Sequence, residues 1–196
     1  MRKEVRLPTR LDVILVVDVE STCWEKNPPA GQASDIIEIG VTTLDFATLK
    51  RIEKRSLMVK PSRSTVSEFC TKLTTIRPED VAGAPSLADA CTTLRTELKS
   101  RDRLWASWGN YDRKQFQENC DALGVPYPFG SDHLNAKTLF SVLRGKPRQP
   151  GMAEALDVLG IALEGTHHRG GDDAWNIAAA LAALLKPGRD QTERSP

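Results

Sequence analysis

With 196 residues, 40% of them hydrophobic and 27% charged, the chain has the length of one α/β domain and apolar mass enough for a full core. A formal net charge of +1 provides no bulk attraction to a polyanion, and no apolar run nears the roughly 20 residues that span a membrane. Arg2, Lys3, Arg6 and Arg10 make the start basic but bring no apolar h-region, which argues against a secretory signal. Residues 1–10 read as a flexible basic arm, 11–186 as the domain and 187–196 as a disordered tail.

An apolar run from Val13 to Val17 reads as a buried strand, and Asp18 and Glu20 follow it. Cys23 to Ser34 holds Pro28, Pro29 and Gly31 and reads as a loop. Asp35 to Asp45 and Arg51 to Lys60 read as two further strands in a meander. Val66 to Pro85 is irregular, with room for one or two short helical turns. Ser86 is placed to cap a helix that reaches about Ser100 and carries Leu87, Ala90, Cys91, Leu94 and Leu98 on one face.

Leu104 to Trp108 is short and apolar, a central strand, with Trp105 and Trp108 expected in the core. Asn110 to Leu123 reads as a helix ended by Gly124 and Pro126. Leu134 to Leu143 gives a mixed signal that favours a helix from Ala136. Met152 to Leu159 is a short helix closed by Gly160. Asp172 to Leu185 is an apolar, alanine-rich helix that Lys186-Pro187-Gly188 is expected to stop. Strands followed by alternating helices and strands describe a mixed sheet with helices packed on it, in one domain.

Cys23, Cys70, Cys91 and Cys120 form no C-x-x-C pair and fit no zinc spacing. They read as reduced thiols, and the chain as a cytoplasmic protein.

The chemistry begins at Asp18-Val19-Glu20. Residues two apart in a strand share a face, so both carboxylates leave the sheet together at its C-terminal end. That end is where open α/β sheets bind ligands. Two like charges set side by side call for a cation or a proton between them. Two later segments supply partners. Asp112 follows the strand Leu104 to Trp108 on the turn Gly109-Asn110-Tyr111-Asp112, where a helix cap is the alternative reading. The other is Thr166-His167-His168-Arg169-Gly170-Gly171-Asp172-Asp173, which holds two of the three histidines ahead of a helix. His168 and Asp173 are five apart, as are His167 and Asp172. The second pair is the competing register.

Together these segments resemble the DEDD superfamily of 3′→5′ exonucleases, in the branch with a histidine general base, which includes RNase T and the DNA polymerase III epsilon type. The resemblance covers about Leu11 to Leu185 and implies a ribonuclease-H-like α/β fold with a mixed five-stranded sheet. Locally, Val17-Asp18-Val19-Glu20-Ser21-Thr22-Cys23-Trp24 looks like the first motif of the Eri-type exoribonucleases. Val66 to Thr74 and Ser107 to Asp112 are similar to that group's intermediate motifs, and Gly170-Gly171-Asp172-Asp173 with Asn176-Ile177-Ala178 to its last. Tyr111 departs from the group, which often has tryptophan before the aspartate; either ring stacks on a base. The additional nucleic-acid-binding domain of some Eri-type proteins has no counterpart in this sequence.

The resemblance aligns His168 with Asp173 and leaves Asp172 as a first-turn acid. Four carboxylates, Asp18, Glu20, Asp112 and Asp173, suit Mg²⁺ or Mn²⁺. Two such ions about 3.5–4 Å apart clamp the attacking and leaving oxygens of a phosphoryl displacement. Asp18 is expected to bridge them, with Glu20 and Asp173 on one ion and Asp112 on the other. His168 is expected to take the proton from the attacking water. As in the family, Val19, Ser21, Thr22, Leu73, Thr74, Tyr111 and His168 are expected at the terminal nucleotide. Trp24 either stacks on a base or covers the core edge. Glu38 reads as a supporting residue. Arg113, Lys114 and Arg169 flank the expected site and read as solvated surface, with phosphate contact as the alternative. The expected activity is a metal-dependent 3′→5′ exoribonuclease acting on RNA 3′ ends. A proofreading-type DNA exonuclease and a non-catalytic nucleic-acid-binding relative are the alternatives.

Overall fold

The computed structural model describes residues 9–190, with side chains described as far as 186. β1 (Arg10–Ser21) is the axis of the sheet, buried from Val13 onward except at the half-buried Asp18. It pairs antiparallel with β2 (Ile36–Asp45), and β2 pairs antiparallel with β3 (Arg51–Met58). Three helices follow: α1 (Glu68–Thr74), α2 (Pro78–Ala82) and α3 (Leu87–Glu97). The chain then returns to lay β4 (Arg103–Ser107) parallel to β1. α4 (Tyr111–Leu123), the short β5 (His133–Asn135), α5 (Ala136–Leu143), α6 (Met152–Leu159) and α7 (Gly170–Asp190) complete the order. The sheet runs β3-β2-β1-β4-β5 and is mixed, as expected from the sequence.

The two faces of β1 separate the two halves of the core. Val13, Leu15, Val17 and Val19 pack with α3 and α4. Ile14 and Val16 pack with α5, α6 and α7, among them Met152, Leu156, Ile177 and Leu181. Asp18 and Glu20 continue the second series, so period-two alternation aims both acids at α7. Burying each Val or Ile side chain contributes roughly 1.5–3 kcal/mol, while an uncompensated buried charge costs several. The apolar stretch behind the acids holds them in place.

Gly40 lies opposite Asp18 on β2. The start of α7 presses on it so closely that a Cβ there would stand 1.8 Å from the Gly170 carbonyl oxygen and 2.4 Å from the Gly171 nitrogen. Sheet and helix meet backbone to backbone, which brings the first turn of α7 down to the level of Asp18.

Several sequence readings are refined. β1 runs on through Asp18 and Glu20 to Ser21, because β2 pairs with it along that length. Arg10 belongs to β1 and not to an arm: it pairs with Arg103, and its backbone N–H donates to the Asp102 carbonyl at 2.6 Å. Residues 1–8 and 191–196 lie outside the described residues. The mixed signal at 134–143 resolves into both elements, a three-residue strand and then α5, capped by the Asn135 side chain. α7 does not stop at Lys186-Pro187-Gly188 but continues to Asp190. One proline forfeits one intrahelical hydrogen bond, and that loss does not end the helix here. Among the described residues, no helix is long and apolar enough to cross a membrane.

Replacing Gly40 by alanine is expected to destabilise the fold by about 2 kcal/mol or more, since the opposing atoms are backbone and cannot rotate away. Gly83, whose added Cβ meets nothing within 4 Å, is the control. Gly83→Ala should stay within about 0.5 kcal/mol of the parent in a denaturant melt.

Candidate active site

Four carboxylates converge at the C-terminal end of β1. Asp18 and Glu20 come from the strand, Asp112 from the first turn of α4 and Asp173 from the first turn of α7. Asp18, Glu20 and Asp173 present oxygens within 4.8 Å of one another. Asp112 is anchored to the strand itself: its Oδ1 accepts the Val19 N–H at 3.0 Å. That bond passes between the two acids of β1, so α4 reads the strand edge directly. The cleft has a volume of about 400 Å³, within the range of roughly 300–1,000 Å³ usual for small-molecule sites. All four acids line it, together with Val19, Ser21, Tyr111, Leu73, His167 and His168.

Burial dominates the electrostatics. It raises Asp18 well above the usual carboxylate range, with Asp112 and Glu20 pushing the same way. Glu20 is raised to about 8 by burial and then by Asp173 and Glu38. Asp112 is raised to about 6 by burial, partly opposed by the N–H of Val19. Asp173 is also raised by burial, against the hydrogen bond from His167. The half-buried Arg169 offsets the rise at Glu20 only in part, and its guanidinium is bonded to Glu38 at 3.0 Å. A set of buried, oxygen-only, under-compensated acids fits a hard divalent cation. Asp18, Glu20 and Asp173 are placed to share one.

The histidine loop is fastened from several sides. Asp173 accepts the backbone N–H of His168 at 2.9 Å and the His167 ring Nδ1 at 3.0 Å. The two imidazoles stack 4.0 Å apart. His168 has a left-handed backbone, φ 64°, a conformation that non-glycine residues hold only where the surroundings enforce it. Burial lowers its pKa, and His167 adds to the effect. Asp173 holds the His168 backbone directly, and Glu38 and Asn176 hold the segments on either side. Glu38, 1% exposed, accepts from Arg169, from the Gly170 N–H at 3.1 Å and from the Ser56 hydroxyl. Asn176 accepts the Glu164 N–H at 3.0 Å and donates to the Glu164 and Asp172 carbonyls. Glu38 is thus supporting, as the sequence suggested. Asp172 is too, bound by Lys54 at 2.5 Å and by the Thr166 N–H.

Not every expected contact residue reaches the cleft. The Thr22 hydroxyl is used up on the Asp35 N–H at 2.9 Å and on Ser64. The Thr74 hydroxyl donates to the Cys70 carbonyl and accepts the Ile76 N–H, capping α1. Both are buried, for short hydroxyl side chains next to turns satisfy local backbone first. Arg169 is engaged by Glu38 and not free for phosphate. Trp105 is core, stacked on Phe129 and His133, but Trp108 is half-buried and lines the cleft, its Nε1–H donating to the Pro150 carbonyl. The third histidine, His133, is lowered to about 4 by burial and bonds Ser107, which makes it structural. Cys23, Gly151 and Met152 also line the cleft and were missed. Gly151 is the N-cap of α6, and neither it nor Met152 carries a sequence signal that points to the cleft.

The mixed sheet, the helices on both faces and the acid cluster at the end of its central strand define a nuclease of the ribonuclease-H-like class. Residues 15–181 match the Exonuclease (RNase_T) family, and the chain belongs to it. This family is divalent-metal dependent, in keeping with the acid cluster. The chain is 26% identical over 210 residues to the 3′-5′ exonuclease Snipper of Drosophila melanogaster, covering 95% of this chain and 74% of that protein. It is 29% identical over 188 residues to 3′-5′ exoribonuclease 1 of Homo sapiens, covering 90% of this chain and 53% of that protein. It therefore spans about half the length of the human relative. Among solved structures, the nuclease domain of 3′hExo, a DEDDh family member bound to rAMP, superposes with a TM-score of 0.83 at 28% identity. That superposition covers 93% of this chain and 96% of the other.

The raised acids link stability to pH and metal. Their unfolded pKa values lie near 4, so between about pH 4 and 8 the metal-free folded chain binds more protons than the unfolded one. Its stability should then fall as pH rises through that window. Mg²⁺ or Mn²⁺ at 100 times its Kd should add about 2.7 kcal/mol, or ~5–10 °C in Tm. The gain should be larger at pH 8 than at pH 5 in thermal melts against EDTA. A Tm indifferent to metal at pH 8 would contradict the site.

Proposed function

We propose that the chain is a 3′→5′ exoribonuclease that releases nucleoside 5′-monophosphates from RNA 3′ ends using two Mg²⁺ or Mn²⁺ ions. The reading rests on one observation: Asp18, Glu20, Asp112, Asp173 and His168 line a single cleft of nucleotide-binding size. RNA is favoured by the exoribonuclease names of relatives such as the human protein, and by a similar 3′-exonuclease solved in recognition of a histone mRNA stem-loop, with a TM-score of 0.80 at 27% identity.

Asp18, Glu20 and Asp173 would hold one ion, and Asp112, with Asp18, the other. When bound, the ions supply Lewis-acid activation of water and neutralise charge at the phosphoryl centre. His168 acts as the general base. Its lowered pKa keeps the imidazole neutral near pH 7 and so able to accept a proton. His167 is held on Asp173 through Nδ1 and orients that carboxylate. Val19 and Ser21 line the wall beside Glu20, and Leu73 and Tyr111 offer apolar and aromatic surface to the terminal base. We place the enzyme in the cytoplasm, following the reading of its four cysteines as reduced thiols.

Asp18→Asn should lower kcat on a single-stranded RNA by at least about 10²–10³-fold, and His168→Ala by about 10²–10⁴-fold. His167→Ala should cost less than His168→Ala; the reverse order would move the base to His167. Matched RNA and DNA oligomers in Mg²⁺ separate the substrates, and equal rates would remove the RNA preference.

A further inference from the structure

β3 is an outer strand of the sheet, and none of its residues lines the cleft. Two of its cations nevertheless reach the last loop and helix of the chain. Arg51 donates through Nη2 to Glu164 Oε1 at 2.8 Å and through Nη1 to the Trp175 carbonyl at 3.2 Å. Its guanidinium lies 4.2 Å over the Trp175 ring, whose Nε1–H donates to the other Glu164 oxygen at 2.9 Å. The strand, the loop ahead of α7 and α7 itself thus meet at one carboxylate. Beside it Lys54 donates to Asp172 Oδ1 at 2.5 Å, while Asp172 Oδ2 accepts the Thr166 N–H at 2.8 Å.

These contacts hold the turn 164–166. Gly165, at its centre, has φ 81° and stands so close to Asp172 that a Cβ there would lie 2.4 Å from the carboxyl carbon. The turn is therefore laid against the first residues of α7. It is gripped on either side of Gly165, by Arg51 directly and by Lys54 through Asp172. His167 and His168 follow with no residue between, and Asp173 follows Asp172. Glu38 fastens the other side of His168, through Arg169 and the Gly170 N–H. A single exposed ion pair contributes little to global stability. The Glu164 side chain is half exposed, so removing Arg51 strands no buried charge, and the loss falls on where the loop stands. A forked guanidinium that holds a carboxylate and a ring face together fixes a geometry that a point charge does not.

We infer that Arg51 and Glu164, with Trp175 between them and Lys54 alongside, are positioning residues: the outer strand clamps the turn ahead of the histidines and sets where His168 and Asp173 stand. The inference rests on the exoribonuclease reading, in which His168 takes the proton. It gives β3 a part in the reaction without any contact to substrate.

The test measures kcat and KM on a single-stranded RNA in saturating Mg²⁺, with a denaturant melt of every variant. Arg51→Met and Glu164→Gln should each lower kcat about tenfold, a part of the ~10²-fold that an ångström of misplacement costs. KM and the melt midpoint should stay near those of the parent. The double variant should be no slower than the worse single one, since both remove one contact. Arg51→Lys, which keeps the charge and loses the fork, should recover only part of kcat. Hydrogen exchange gives a readout without turnover: Arg51→Met should speed exchange of the 164–170 amides and leave those of β1 unchanged. A parental kcat in Arg51→Met, additive losses in the double variant, or a kcat that falls only in step with the melt midpoint overturns the inference and leaves the exoribonuclease reading intact. A parent chain inactive on RNA overturns that reading and the positioning role with it.

Discussion

The structure depends on a repulsion. Four carboxylates are brought to the end of one strand and buried there, and each lifts the proton affinity of its neighbours. Left to itself, such a group would swell apart or protonate. It holds because the apolar residues behind it on β1 are sealed on both faces, and because the acids are tied to backbone. Asp112 is bound to Val19, and Asp173 to His168. Fold stability is spent on a local arrangement that a proton or a cation relieves.

The supporting contacts show where rigidity is placed. Glu38 joins β2 to the start of α7, and through the Ser56 hydroxyl it also engages β3. Asn176 ties the loop ahead of His168 back onto α7. His168 therefore sits on a segment fixed at both ends, with little freedom to leave the cleft wall. The contact between Gly40 and Gly170 sets the depth to which α7 settles.

Much of this could be read from residues alone, because the rules involved are short-range. Alternation along β1 puts Asp18 and Glu20 on one face, and the pattern of Asp112, His168 and Asp173 completes the set by resemblance. What escaped depends on geometry that pattern does not encode. Whether a threonine faces a cleft or its own backbone is decided by a turn, and Thr22 and Thr74 both chose the backbone. Trp108 looked like core by composition, but its position just past β4 tips it to the cleft wall. The three-residue β5 is too short to show a period. Pro187 signalled a stop in the sequence, but α7 runs on to Asp190.

The acids do not arrive together along the chain. Asp18 and Glu20 lie near its beginning, Asp112 past the middle, and Asp173 with its histidine close to the end, on the helix that covers the sheet last in sequence. A chain folded only as far as α6 has Asp18, Glu20 and Asp112 but neither the fourth carboxylate nor the paired histidines of the cleft. The pairing that closes the site has high sequence separation, the kind of contact that forms late. A complete acid cluster is therefore a report on finished folding: a nascent or half-folded copy, even with its central strand in place, lacks the carboxylate that closes the cleft.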